Sequence, residues 1–168
     1  MGNNVFTGKR RRKYSAGKIL PAVLAILTLC IPLAGCGSSP DTVISEGESL
    51  VIDTADVTED ASFYTVEVDG TEMEVLAIRT ADGEIRTAFN TCQVCYSSGQ
   101  GYYVQEGDYL VCQNCGNRYS AEEVEIETGG CNPWPITDDD KTVTDDTIEI
   151  SYDFLNESKA IFATWKSD

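Results

Sequence analysis

The chain has 168 residues, with 28 acidic and 12 basic side chains, a net charge of −16 and no histidine. That length allows one domain plus targeting segments. The missing imidazole excludes histidine-based triads, the usual general base and the usual zinc nitrogen ligand, which leaves seven cysteines as the reactive resource.

The first segment is an address. Lys9, Arg10, Arg11, Arg12, Lys13 and Lys18 are half of all the basic residues, and no acidic residue precedes Asp41. Ile19 to Gly35 is an uncharged, mostly apolar run that ends in Leu33-Ala34-Gly35-Cys36. A cationic start, an apolar run and small residues before a cut site make a secretory signal. The Leu-Ala-Gly-Cys ending resembles the bacterial lipobox. That resemblance implies removal of residues 1–35 and attachment of fatty acyl chains, palmitate among them, at Cys36. The competing reading is an uncleaved membrane helix. A span needs about 20 apolar residues, and this run is shorter and is interrupted by Pro21 and Pro32. Either way the rest is expected at the outer face of the bacterial cytoplasmic membrane, held by lipid at Cys36. Cys30 lies in the apolar run and is lost on cleavage.

Beyond Cys36 there are six basic residues against 28 acidic ones, a net of −22. A surface of that sign repels nucleic acid and anionic headgroups, so nucleic acid is not an expected partner. Residues 36–48 read as the lipidated cysteine and a polar tether, and residues 49–168 as a cysteine-rich β domain. Leu50-Val51-Ile52 is the first predicted strand. Phe63–Val68 is a second, with Asp69-Gly70 as a turn into a third over Met73–Ile78. Ala81-Asp82-Gly83 closes a hairpin onto Ile85–Phe89. Tyr102-Tyr103-Val104 and Tyr109-Leu110-Val111 flank Glu106-Gly107-Asp108 as another hairpin. Thr147–Ile150 is a late strand, and 158–165 reads as helix or strand. The expected fold is mostly β: a small antiparallel domain, Rieske-like or ribbon-like, with cysteines on long loops at 90–100 and 112–146. Loops of that length are usually functional.

Cys92-Gln93-Val94-Cys95 and Cys112-Gln113-Asn114-Cys115 are separated by sixteen residues. A Cys-x-x-Cys turn aims two sulfurs at one point, and two such turns on a hairpin surround one ion or cluster. Exported cysteines also form disulfides, but the paired spacing favours metal. Four thiolates suit zinc and an iron–sulfur cluster alike. Gly116, after the second pair, lets amide N–H groups approach the sulfurs. Cys131 is a fifth thiol, either a further metal ligand or a cysteine packed near the centre. Tyr102 and Tyr103 are expected beside it, and Trp134 and Trp165 in the core.

The run Phe89-Asn90-Thr91-Cys92-Gln93-Val94-Cys95, Gly101-Tyr102-Tyr103, Val111-Cys112-Gln113-Asn114-Cys115-Gly116 and Gly129-Gly130-Cys131-Asn132-Pro133 resembles the FtrD-like family of membrane iron–sulfur proteins. The resemblance implies an iron–sulfur centre, electron transfer linked to iron uptake, and membrane redox or iron-transport proteins as partners. It also implies that Cys131 belongs near the centre. Many members are polytopic, whereas this chain has a single lipid anchor, so any transport step lies with partners. A weaker likeness is to the Rieske fold. Cys112-x-x-Cys115-Gly116-x-x-Tyr119 is similar to its second cluster loop, with cysteine in place of histidine. Nothing in the chain supplies a nucleophile–base pair, which points to an electron carrier or binding component rather than an enzyme. The rival reading is a structural four-cysteine zinc module that binds a membrane partner.

Overall fold

A computed structural model describes residues 42–126 and 128–167; the leader and Cys36 lie outside the described residues. The strands are β1 (Thr42–Val43), β2 (Ser49–Asp53), β3 (Ser62–Val68), β4 (Thr71–Arg79), β5 (Ile85–Cys92), β6 (Tyr103–Glu106), β7 (Tyr109–Cys112), β8 (Arg118–Tyr119), β9 (Pro133–Pro135), β10 (Thr142–Val143) and β11 (Thr147–Ser151). One helix, α1 (Tyr152–Ser158), runs into a 3-10 turn over Lys159–Phe162. The mostly β, largely antiparallel domain expected from the sequence is what forms. Among the described residues no helix is long and apolar enough to cross a membrane.

Three sheets stack around two cores. The central sheet has the order β1-β3-β4-β5-β9, flanked by β10-β11-β2 and by β6-β7-β8. The middle strands explain the layering. Along β4 every residue from Met73 to Ile78 is buried. Met73, Val75 and Ala77 face the larger core with Leu50, Ile52, Ile148, Ile150 and Leu155. Leu76 and Ile78, the alternate positions, face a smaller core with Tyr103, Leu110, Cys92, Cys95 and Cys112. A strand covered on both faces reads as a continuous apolar run because side chains alternate between the faces. The smaller core is therefore also the floor of the cysteine cluster.

Local chemistry sets the connections. Asp69 and Gly70, between β3 and β4, both take positive φ (47° and 75°), as a two-residue type I′ hairpin requires. Ser151 ends β11 and starts α1, its Oγ accepting from the Phe154 amide at 3.3 Å. The segment 158–165, read as helix or strand, is the last residue of α1 followed by the 3-10 turn and further turns, with no strand in it.

Two stretches differ from the sequence expectation. Thr42-Val43-Ile44, assigned to the tether, pairs in parallel with β3, and Ile44 is buried. Three β-branched residues among polar neighbours are too few to show an alternation. The stretch 112–146 is not one long loop, because it contains β8, β9 and β10. β9 is hidden by Pro133 and Pro135. Proline is tolerated here because β9 is an edge strand. Its pairing with β5 shifts register between Phe89 and Cys92, a bulge that turns the end of β5 toward the cysteines.

Candidate metal centre

Cys92 is the last residue of β5 and Cys112 the last of β7. Each opens a tight turn that carries the second cysteine of its pair. The Cys92 amide donates to Gly101 O at 2.6 Å, and the Gln113 amide donates to Tyr102 O at 2.8 Å. Residues Gly101 and Tyr102 thus tie one knuckle to the other. A β-carbon on Gly101 would overlap the Cys95 carbonyl and sit 2.8 Å from the Tyr96 nitrogen. Only glycine lets the chain pass that close.

The sulfurs of Cys92, Cys95, Cys112 and Cys131 all lie within 4.8 Å of one another. Cys131 Sγ is 3.0 Å from Cys92 Sγ and 3.5 Å from Cys95 Sγ. Cys115 Sγ lies 2.7 Å from Cys131 Sγ but outside that mutual set. All five are free thiols; Cys92, Cys95 and Cys112 are buried, Cys131 is half-buried and Cys115 is exposed. All five cysteines singled out in the sequence are therefore brought together. Cys36, the expected lipid attachment point, lies outside the described residues.

A third loop supplies Cys131, and several bonds hold it. Tyr103 Oη, fully buried, donates to Cys131 O at 2.6 Å. The Gln93 amide donates to Asn132 O at 3.0 Å, and the Gly129 amide to Gln93 Oε1 at 3.0 Å. Further back, Lys141 Nζ bonds Glu125 Oε2 at 2.7 Å, Thr87 Oγ1 at 2.9 Å and Ile136 O at 3.1 Å. Asn90 fixes the hairpin over β5: the Tyr103 amide donates to its Oδ1 at 2.7 Å, and its Nδ2 donates to Tyr103 O and Glu74 Oε1. Tyr103 was expected beside the centre, but not its hydroxyl bond; Asn90 and Gly101 stood only within the family-like motif run, with no role of their own, and Glu125 and Lys141 carried no signal in the sequence. Trp134 and Trp165 pack against the larger core.

The electrostatics follow from crowding sulfurs in a dry site. Burial pushes the Cys112 thiol up to about 12 against opposing bonds from the Asn114 and Cys115 amides. Burial also raises Cys95 and, with the neighbouring sulfurs, Cys131. At Cys92 burial opposes ionisation, but bonds from Cys131 and the Cys95 and Val94 amides outweigh it and lower the pKa. The Cys95 amide is 3.3 Å from Cys92 Sγ. Amide N–H groups do approach the second pair, those of Cys115 and Asn114 at Cys112, while the Gly116 amide itself donates to Cys112 O at 2.8 Å. Cys95, Cys112 and Cys131 resist ionisation one by one; packed thiols of that kind ionise together when a cation compensates them.

The donor set fits a thiophilic metal. Thiolates select zinc, iron and iron–sulfur centres, and the N–H groups around Cys92 and Cys112 stabilise anionic sulfur. Asn132, beside Cys131, has a buried side-chain Nδ2 that bonds no described residue, a spare donor next to an anionic centre. The family model of "membrane iron-sulfur containing protein FtrD-like" matches residues 57–162, more than half of the chain, so the chain belongs to that family. No curated protein and no solved structure matches it.

Proposed function

We propose that this FtrD-like chain is a lipid-anchored electron carrier on the outer face of the bacterial cytoplasmic membrane, serving iron uptake. The observation that carries the reading is the convergence of five free thiols with one edge, Cys115, open to solvent. A centre buried on one side and accessible on the other suits electron exchange with a docked partner. The family description, which names membrane and iron–sulfur, supports iron over zinc. Iron held by cysteine sulfurs supplies one-electron chemistry at a potential set by charge, N–H···S bonds and exposure.

The residues divide the work. Cys92, Cys95 and Cys112, with Cys131 or Cys115, hold the metal. Backbone amides in the two knuckles tune the sulfurs, and Leu76, Ile78, Leu110 and Tyr103 keep water from the floor. Acylation at Cys36 anchors the chain. With β1 starting at Thr42, five residues separate anchor from domain, a reach of at most about 20 Å. The short link keeps the domain near the bilayer, where membrane redox and iron-transport partners reside.

The test is the full-length chain purified anaerobically in detergent. It is expected to be coloured, to bleach with dithionite, and to recolour on oxidation. A colourless chain with one zinc and full function in cells would establish the structural zinc module instead. Fatty-acid labelling that is lost in Cys36→Ala checks the anchor.

A further inference from the structure

The spacing of the sulfurs says how many metal ions the site takes. With metal–sulfur bonds of about 2.3 Å, a tetrahedral ion sets its four sulfurs about 3.8 Å apart. Here Cys92, Cys95, Cys112 and Cys131 are all within 4.8 Å of one another. A cluster of two or more irons inserts a metal–metal separation and bridging sulfides between some of its ligands, which spreads them well beyond one ion's edge. There is also one thiol more than a tetrahedral ion uses.

We infer that the centre takes a single iron on Cys92, Cys95, Cys112 and Cys131, with no inorganic sulfide, and that Cys115 is left as an unligated, exposed thiol against Cys131. The inference rests on the reading that the metal is iron, and it deepens that reading: one iron on four cysteine sulfurs is the smallest iron–sulfur centre. The choice between Cys131 and Cys115 follows from how each is held. Cys131 Sγ lies 3.0 Å from Cys92 Sγ and 3.5 Å from Cys95 Sγ, and its own carbonyl is fixed by Tyr103. Its loop is pinned at Gln93 on one side and by the Lys141–Glu125 pair further out. Cys115 is exposed and stands outside the mutual set. As each sulfur–iron bond forms, its S–H proton leaves to solvent and no electron moves. The Cys115 thiol, 2.7 Å from the Cys131 sulfur and exposed, would remain as the reactive group at the rim.

The full-length chain, purified anaerobically in detergent, is assayed for iron, zinc and acid-labile sulfide, then treated with iodoacetamide and peptide-mapped. One iron, no labile sulfide and, after oxidation with ferricyanide, an isolated high-spin ferric EPR signal are expected. Among the five domain cysteines, Cys115 should be alkylated at least about tenfold faster than the others, since ligation and burial suppress thiol reactivity. Two or more irons with matching sulfide overturn the single-ion inference and leave the electron-carrier reading standing. One zinc without iron overturns the identity of the ion, and the carrier reading with it. Protection of Cys115 with alkylation of Cys131 overturns the ligand set. Because Cys131→Ser risks misfolding, the variant used is Cys115→Ser at the exposed position; it should keep full iron loading, and loss of the ion there also overturns the ligand set.

Discussion

Lys141 and Glu125 form an ion pair that brackets the loop carrying Cys131. Lys141 Nζ lies 2.7 Å from Glu125 Oε2, with the two side chains only 2% and 9% exposed. Glu125 Oε2 also accepts from the Thr87 amide at 2.9 Å, so the pair ties both flanks of the loop to the middle of β5. Glu125 holds φ at 70°, a conformation that the surrounding bonds must impose. Lys141→Met strands a buried carboxylate, and breaking such a pair costs about 3–5 kcal/mol. Urea denaturation should show that loss, and the double variant with Glu125→Gln should recover part of it. A Lys141→Met variant as stable as the parent removes the bracket from the account.

Neither member of that pair was legible in the sequence. Lys141 sits after Asp138-Asp139-Asp140 and reads as one charge in a solvated acidic stretch. Its burial depends on β9 and β10 forming, and the prolines of β9 and the shortness of β10 hide both strands. The β3–β4–β5 meander and the β6–β7 hairpin were legible, because each has a β-rich run and a glycine turn between runs. What the runs did not reveal is which face of β4 goes where: a stretch buried throughout carries no alternation to read.

Gly101→Ala should disturb the metal centre more than an ordinary glycine substitution. The new methyl meets the Cys95 backbone, and overpacking of this kind costs about 1–3 kcal/mol. Gly107→Ala is the control. Gly107 has a positive φ of 62° but open space at its β position, so that change should cost about 1 kcal/mol of stability and leave metal content unchanged. Equal metal content in the two variants would contradict the role given to the Gly101–Cys95 approach.

Tyr103→Phe removes one hydroxyl from the floor of the centre. Its bond to Cys131 O is 2.6 Å long and buried, and losing such a bond costs about 1–2 kcal/mol. Folding should survive, since the ring keeps its contact with Tyr119, 6.1 Å between centroids. The specific consequence is a freer Cys131 and faster loss of metal to a chelator, by about tenfold if the whole cost falls on the ligand loop. Unchanged chelation kinetics would show that Cys131 is held by other bonds.

The cysteine constellation shows how far spacing carries and where it stops. The two Cys-x-x-Cys pairs announced a site because each pair is local. Cys131 lies sixteen residues beyond Cys115 in a stretch without strand signals, so spacing alone left it between ligand and bystander. Contact with three sulfurs arises only when the β5 bulge and the β9 pairing fold that stretch back.

Asp69 provides the pH test. It sits at the β3–β4 turn, its Oδ2 accepting from Lys159 Nζ at 3.1 Å and from Tyr152 Oη at 3.0 Å. Those bonds tie the hairpin tip to α1 and the turn that follows it. The bond from Lys159, then that from Tyr152, hold the Asp69 carboxyl below its usual value of 3.8. A group whose folded pKa is depressed contributes stability that is fully present above its unfolded pKa, about 3.9, and is lost as pH falls through the lower folded value. Asp69→Asn should therefore be less stable than the parent at pH 7, with the gap closing below about pH 4 as the parent carboxylate takes up its proton. The turn itself tolerates the change, because asparagine accepts positive φ as readily as aspartate. Urea midpoints of both chains at pH 7 and pH 3 measure the gap. A gap that is constant with pH would mean that the hydrogen bonds matter and the carboxylate charge does not.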